Sequence, residues 1–165
     1  MSIMDTFLTQ LNPQLTILFN VVVAMFFGGL IGLERELAKK PAGLRTLMLV
    51  AGASSMLVGL ADVLVERFAS DGNNEILRTD PIRIIEAIIT GISFLGAGTI
   101  FQSGKDDRVE GLTTAASILI CCVIGISVAL NQWALATGVT FFSIVILCAA
   151  ATLERRIGRR NDRHR

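Results

Sequence analysis

The sequence predicts an all-α fold, a polytopic membrane helical bundle with five transmembrane helices. Of its 165 residues 52% are hydrophobic and only 18% are charged, whereas a soluble domain carries about 25% charged residues. The charges are clustered, and they leave uncharged or nearly uncharged runs of about 20 residues, the length that a helix needs to cross a bilayer. Because of this clustering, the net charge of +1 indicates no class of partner.

The runs are read in order along the chain. The predicted spans are residues 15–33, 46–65, 82–101, 112–130 and 133–153. Only Asn131 and Gln132 separate the last two, which predicts a tight helical hairpin. The predicted organisation is a short interfacial segment over residues 1–14, a membrane domain over residues 15–153, and a basic tail over residues 154–165. The apolar pattern of the first segment predicts a helix on the membrane surface or a frayed start, with Pro13 ending the pattern.

Orientation follows from the cations, since short cytoplasmic loops collect Lys and Arg. Twelve of the 15 Lys and Arg residues fall after the first span, after the third, or in the tail. These three segments lie on one side of the membrane. We therefore predict that the N-terminus is outside and that the C-terminus is cytoplasmic.

Cysteine and histidine indicate no catalytic or metal centre. Cys121, Cys122 and Cys148 fall within predicted spans, and His164 is the only histidine. No zinc-ligand spacing or phosphate-binding glycine loop is present. We expect no enzyme activity, cofactor, metal or nucleic-acid partner.

Small residues recur at helical spacing, which favours close packing of membrane helices. The simpler interpretation is packing between helices of the same chain. The alternative is that one row of small residues binds a second copy or another membrane protein. The glycines assigned to packing are Gly28, Gly32, Gly91, Gly96, Gly98, Gly111 and Gly125. The pattern G-L-x-T follows a glycine twice, at Gly43 and at Gly111. This suggests, as a hypothesis, a parallel pseudo-repeat of two hairpins.

A charged cluster closes the first span on the predicted cytoplasmic side. It comprises Glu34, Arg35 and Glu36, and Arg45 opens the second span on the same side. A solvated interface with snorkelling arginines is one interpretation. Acids gain nothing from anionic lipid, however, and charges near the hydrocarbon boundary tend to pair or to mark function. We predict a polar cluster across the first hairpin.

A second cluster is predicted on the outer side. Asp80 has the position of an N-cap before Pro81. Arg83 and Glu86 then lie three residues apart on one helix face, and Asp62 near the end of the second span could face them. Structural pairing is the prediction for Arg83, and a functional role is an equal alternative for Glu86.

Four ordered blocks, GGLIGLERE, PAGLRTLMLV, DPIRIIEAIITGISFLGAG and VEGLTTAA, resemble the membrane domain of the MgtC/SapB family of bacterial inner-membrane proteins. The resemblance extends from residue 21 to residue 153 and implies five spans. It also implies a link to growth at low magnesium, to acid tolerance and to virulence through survival in host phagocytes. It further implies that the protein binds the membrane sector of the F-type ATP synthase and restrains that enzyme. By position, the charged motif of the family falls on Glu34, Arg35, Arg45, Asp80 and Arg83.

The sequence departs from the family pattern at three positions. Glu86 stands where relatives often have Gln, Glu110 where a basic residue is common, and Ser93 where a glycine is usual. We also expect the basic tail in place of the soluble C-terminal domain that many relatives carry.

Three functions are therefore open. The first is regulation of a membrane complex. The second is an ion transporter or channel for magnesium or protons, in which Glu86, Asp62 and Glu34 would be the acidic binding positions. The third is a structural membrane scaffold. No acid lies in the central stretch of any span, and magnesium favours carboxylate and water oxygens. This favours regulation, and a homo-oligomer is compatible with it.

Overall fold

A computed structural model describes residues 3–70, 81–102 and 111–161, and the surroundings of side chains over residues 13–65, 82–100 and 111–152. Five helices make up these ranges. They are α1 (Ile3–Leu37), α2 (Leu44–Ser70), α3 (Pro81–Gln102), α4 (Leu112–Ala129) and α5 (Trp133–Asn161).

Each helix contains a stretch long and apolar enough to cross a membrane. These stretches are Pro13–Leu37, Leu44–Val65, Ile82–Ile100, Leu112–Ala129 and Trp133–Thr152. They confirm the all-α class and the five predicted spans. Among these apolar stretches, the largest difference from the prediction is at the end of the first, which continues through the charged residues to Leu37 instead of ending at residue 33.

The structure differs from the prediction at both ends of the chain. Pro13 does not end a helix, because α1 runs through it from Ile3. Proline removes one backbone donor, yet membrane helices tolerate it where the freed groups find other partners. At the other end, α5 continues to Asn161, so part of the predicted basic tail extends the last helix. The location of either segment at a membrane surface stays a prediction.

Helix α4 is the centre of the bundle. It contacts each of the other four helices, and 56% of its span is buried, against 11% for the spans of α3 and α5. Its buried side chains include Ile118, Cys121, Cys122 and Ile124. The most extensive pairing is between α1 and α2, while α3 and α5 lie at the periphery.

The closest helix contacts meet at Ala51 of α2. A Cβ atom built on Gly28 of α1 would lie 2.8 Å from the Cβ of Ala51, and one on Gly125 of α4 would overlap the Ala51 carbonyl oxygen. Ala51 itself is completely buried. The backbones of α1 and α4 therefore come close to α2 around Ala51, at positions where neither carries a side chain. Gly125 meets the Ala51 carbonyl, and Gly28 meets the Ala51 methyl group and the Leu47 carbonyl.

The remaining glycines fall into two groups. Gly32 packs closely, because a Cβ there would lie 2.7 Å from the Cα of Leu44, and Gly96 faces the Ala115 side chain at 3.5 Å. Gly91 and Gly98, by contrast, have nothing within 4 Å in the part of the chain that the structure describes. Among the described residues, these two glycines therefore do not show the predicted packing role.

Gly111 lies at the N-cap of α4, where its φ of 95° suits glycine. The two G-L-x-T patterns share this position in the fold, because α2 begins at Leu44 and α4 at Leu112. The contact that Gly32 makes with Leu44 has no counterpart at Gly98. The pseudo-repeat stays a hypothesis.

The predicted α4–α5 hairpin is present and tight. Asn131 adopts a φ of 58°. The N–H groups of Asn131 and Gln132 donate to the carbonyls of Val128 and Ser127, at N···O distances of 3.0 and 2.8 Å. This is the Schellman arrangement, in which a left-handed residue ends the helix and satisfies its last carbonyls.

The contact at Ala51 yields a stability prediction. We expect Gly125→Ala to lower the free energy of unfolding by about 1–3 kcal/mol, the usual cost of overpacking, because the new methyl group meets backbone. The measurement is thermal unfolding of the purified protein in detergent. Gly138→Ala in α5 is the matched control, since nothing lies within 4 Å of that glycine among the described residues. Equal stability of the two variants would contradict this account.

Candidate functional site

The candidate site lies at the end of the bundle that carries the α1–α2 turn, residues 38–43. Helix α1 closes with a second Schellman arrangement, in which Lys39 adopts a φ of 54°. The N–H groups of Lys39 and Lys40 donate to the carbonyls of Glu36 and Arg35, both at an N···O distance of 3.0 Å. The turn is thus held by backbone bonds, and it fixes where the charged side chains of the last helical turn point.

Glu36 joins the two helices across this turn. Its Oε2 accepts a hydrogen bond from the backbone N–H of Leu44, the first residue of α2, at an N···O distance of 3.0 Å. A carboxylate at this place satisfies an orphan donor and is favoured by the helix dipole. A side chain at Gly43 would overlap the Glu36 carboxylate. The role of Glu36 is therefore to cap α2.

Glu34 and Arg35 form the buried part of the site. Their side chains are 14% and 4% exposed, and the Nη1 of Arg35 lies 3.9 Å from the Oε2 of Glu34. That distance is an ion pair but too long for a hydrogen bond. Among the described residues, the Nε and Nη2 of Arg35 and the Oε2 of Glu34 have no hydrogen-bond partner. The pair therefore keeps unused hydrogen-bonding capacity inside the protein.

The predicted cluster across the hairpin forms only in part. Arg45 is exposed, and no ion pair connects it to Glu34 or Glu36. The link between α1 and α2 is the bond from Glu36 to the Leu44 backbone instead. Arg45 is the second residue of α2, and its exposed side chain is solvated or in contact with headgroups instead of being paired across the turn.

The opposite end of the bundle, marked by the α4–α5 turn, holds the second predicted cluster. Asp80 lies outside the described residues. Asp62, Arg83 and Glu86 are all exposed, and the described ranges contain no ion pair among them. The Arg83–Glu86 pair expected from spacing is thus not formed, since both side chains turn outward. Their functional roles stay predictions.

Several hydroxyl groups of the spans bond back to their own helices, whereas the buried Ser55 hydroxyl has no partner among the described residues. Ser54, Ser117 and Thr140 each donate to the carbonyl four residues earlier, at O···O distances of 2.7–2.9 Å. In α3, Thr90 and Ser93 do the same. Within residues 3–70, 81–102 and 111–161, no group of three or more His, Cys, Asp or Glu residues could hold a metal ion.

Two features of the site escape sequence reasoning. Nothing in the sequence indicates that Lys39 adopts the left-handed conformation, because the residue that ends a helix in this way is usually glycine. The burial of Arg35 beside an exposed Arg45 is also unforeseen, since both arginines flank the same turn. The cap of α2 does have a usable sequence signal, which is an acidic residue, Glu36, shortly before the glycine at the helix start. A glycine at that position, Gly43, leaves room for a side chain from another element.

Comparison with known proteins places the chain in a family. The MgtC family model matches residues 21–156. The chain is 36% identical to an uncharacterized protein of Haemophilus influenzae over 155 residues, which cover 93% of this chain and 64% of that protein. It is 34% identical over 145 residues to protein SrpB of Synechococcus elongatus, covering 83% of this chain and 76% of the relative.

Over 145 residues it is also 36% identical to protein MgtC of Salmonella typhimurium, covering 88% of this chain but only 55% of that protein. The chain thus spans between about half and three quarters of the length of these relatives. No solved structure matches it. The family match, the three relatives and the five apolar helices agree: the chain is a multi-pass membrane protein that belongs to the MgtC family.

Proposed function

We propose that this protein is a non-enzymatic regulator of a larger membrane complex. The partner implied by the family resemblance is the membrane sector of the F-type ATP synthase, which the protein restrains in the bacterial inner membrane. The condition is magnesium limitation, acid or the interior of a host cell. The observation that carries the proposal is an exposed face on α3.

This α3 face consists of Gly91, Phe94, Leu95 and Gly98, which share one side of the helix at spacings of three, four and seven residues. Phe94 is 82% exposed and Leu95 is 53% exposed. The two glycines have nothing within 4 Å among the described residues. Small residues let membrane helices approach closely, and lipid alone does not require them. The α3 face therefore suits a helix of another protein.

The peripheral helix α5 offers a useful contrast. Its outward residues include Phe141, Phe142 and Ile146, all more than 60% exposed. Bulky apolar side chains suit contact with lipid, whereas the glycines beside Phe94 leave a recess on either side of the ring. Of the two peripheral helices, α3 is thus the one shaped for a protein partner.

An ion pathway has less support. The exposed acids Asp62 and Glu86 lie near one end of the bundle, and Glu34 lies near the other. Between them, Ser54 and Ser117 direct their hydroxyl hydrogens to carbonyls of their own helices. An ion crossing the bilayer needs polar groups along the whole path.

The regulatory proposal is tested in inverted membrane vesicles that contain the ATP synthase. We expect the protein to slow ATP-driven acidification, and Phe94→Ala to remove about half or more of this effect by deleting a central contact. Phe142→Ala is the matched control, because this ring is 64% exposed on α5. Loss of inhibition in both variants, or in neither, would count against the α3 face.

The competing ion pathway makes a different prediction in the same vesicles. With the pump blocked, we expect the passive proton leak to be the same with and without the protein, and Glu86→Gln to leave it unchanged. A leak that rises with the protein and disappears in Glu86→Gln would replace regulation by ion conduction.

The proposed orientation is tested by labelling single cysteines. In a chain with its three cysteines changed to serine, Lys40→Cys and Gln132→Cys place exposed thiols at opposite ends of the bundle. A membrane-impermeant maleimide should label the Gln132→Cys variant in intact spheroplasts and the Lys40→Cys variant only in inverted vesicles. The reverse pattern would invert the orientation.

A further inference from the structure

Arg35 is a buried cation whose hydrogen bonds are unfilled. The residue is 3% exposed, and its Nε and Nη2 have no partner in the described ranges. The carboxylate of Glu34, at 3.9 Å, is its sole ion-pair partner there. A buried charge without sufficient partners is strongly unfavourable. The guanidinium fork matches phosphate oxygens in two parallel hydrogen bonds, so an anionic phosphate is the ligand that its free donors fit best.

An apolar groove of about 190 Å³ lies between α1, α4 and α5. Its lining consists of Ile31, Thr113, Ala116, Ser117, Ile120, Ser143, Ile146 and Leu147. Ile146 is 65% exposed, so the groove opens on the membrane face of the bundle. The hydroxyl of Ser117 donates to the Thr113 carbonyl and offers no hydrogen to a ligand. Such a groove suits a hydrocarbon chain.

Arg35 does not line this groove, but it lies one helical turn from Ile31, which does. Ile31 and Arg35 are four residues apart, so they are neighbours on one helix face. The rise between them is about 6 Å, at 1.5 Å per residue. A polar group at the end of the bundle and an apolar groove one turn deeper thus match the polar headgroup and the apolar tail of an amphiphile.

We propose that a phospholipid with a net negative headgroup binds here, with its phosphodiester at Arg35 and part of an acyl chain in the α1–α4–α5 groove. The exposed cations Lys39, Lys40 and Arg45 at the same end of the bundle add a positive field. Exposed basic residues draw anionic headgroups toward this end of the bundle without making a fixed contact with one of them. A protein carboxylate could pair with Arg35 but would leave the groove unexplained.

A second groove provides an internal control. It lies between α3 and α4 and has a volume of about 300 Å³. Neither groove has a charged residue in its lining, but only the first is lined by a residue of α1, the helix that carries Arg35. Ala97 contributes to this groove and not to the first, while Ser143 contributes to the first alone. The larger groove thus lacks the anchor that the smaller one has.

The test uses the full chain, purified in detergent and delipidated, titrated with dioleoyl-phosphatidylglycerol and followed by native mass spectrometry. We expect this lipid to bind at least about tenfold more tightly than dioleoyl-phosphatidylcholine, and Arg35→Gln to weaken it about tenfold, in line with the loss of a charged bidentate contact. Arg45→Gln removes the same charge at the same end of the bundle and should change the affinity less than about twofold.

Groove-filling variants decide the question if Arg35→Gln does not fold. Ser143→Leu should weaken binding of the lipid, and Ala97→Leu should not. Equal binding in Ser143→Leu and Ala97→Leu would overturn the proposal. So would displacement of the lipid by millimolar inorganic phosphate, which would indicate a small-anion site. If lipid does not bind but Arg35→Gln still destabilises the delipidated chain, the counterion is a protein carboxylate and the lipid proposal fails. None of these readouts involves the ATP synthase.

Discussion

The bundle depends on the contact of three backbones at Ala51. Lipid provides no hydrophobic force between helices, so their association rests on close van der Waals contact. Gly28 and Gly125 give α2 that contact on two sides, with α1 and with α4. Once α4 packs against α2, it provides a surface for α3 on one side and for α5 on another. Helices α3 and α5 do not contact each other in the described chain. A side chain at either glycine would separate the helices on which the rest of the bundle is placed.

This packing also determines which polar groups are satisfied. A membrane protein must pair its buried backbone groups internally, and both described turns do so through a residue in the left-handed conformation, Lys39 and Asn131. Glu36 supplies the bond that the first N–H of α2 lacks. Against this background the unfilled donors of Arg35 are an exception. The Oε2 of Glu34 beside these donors and the Oγ of Ser55 also lack partners among the described residues. Of these groups Arg35 is the buried cation, and its free donors suit a partner from outside the chain.

The sequence predicts the spans well and their contacts poorly, for one physical reason. The length of an uncharged run is a property of the chain alone, so the starts of α3, α4 and α5 are predicted within one residue. The rotation of a helix about its axis depends on its neighbours. Gly28 and Gly98 are both assigned to helix packing by the spacing of small residues, yet the first is enclosed and the second has nothing within 4 Å among the described residues. Arg35 and Arg45 differ in burial for the same reason.

The surfaces argued to bind a partner and a lipid adjoin the same central helix. Ala116 of α4 lines both the α1–α4–α5 groove and the α3–α4 groove. Close-packed interiors transmit small displacements, because they contain little free space to absorb them. A lipid acyl chain bound in the first groove would contact Ala116, which also lines the groove between α4 and α3. Since α3 packs mainly on α4 and its span is 11% buried, it is the helix most able to shift in response. The lipid composition of the bilayer can in this way influence the position of α3 and of its exposed face. No polar path through the bundle is needed for this.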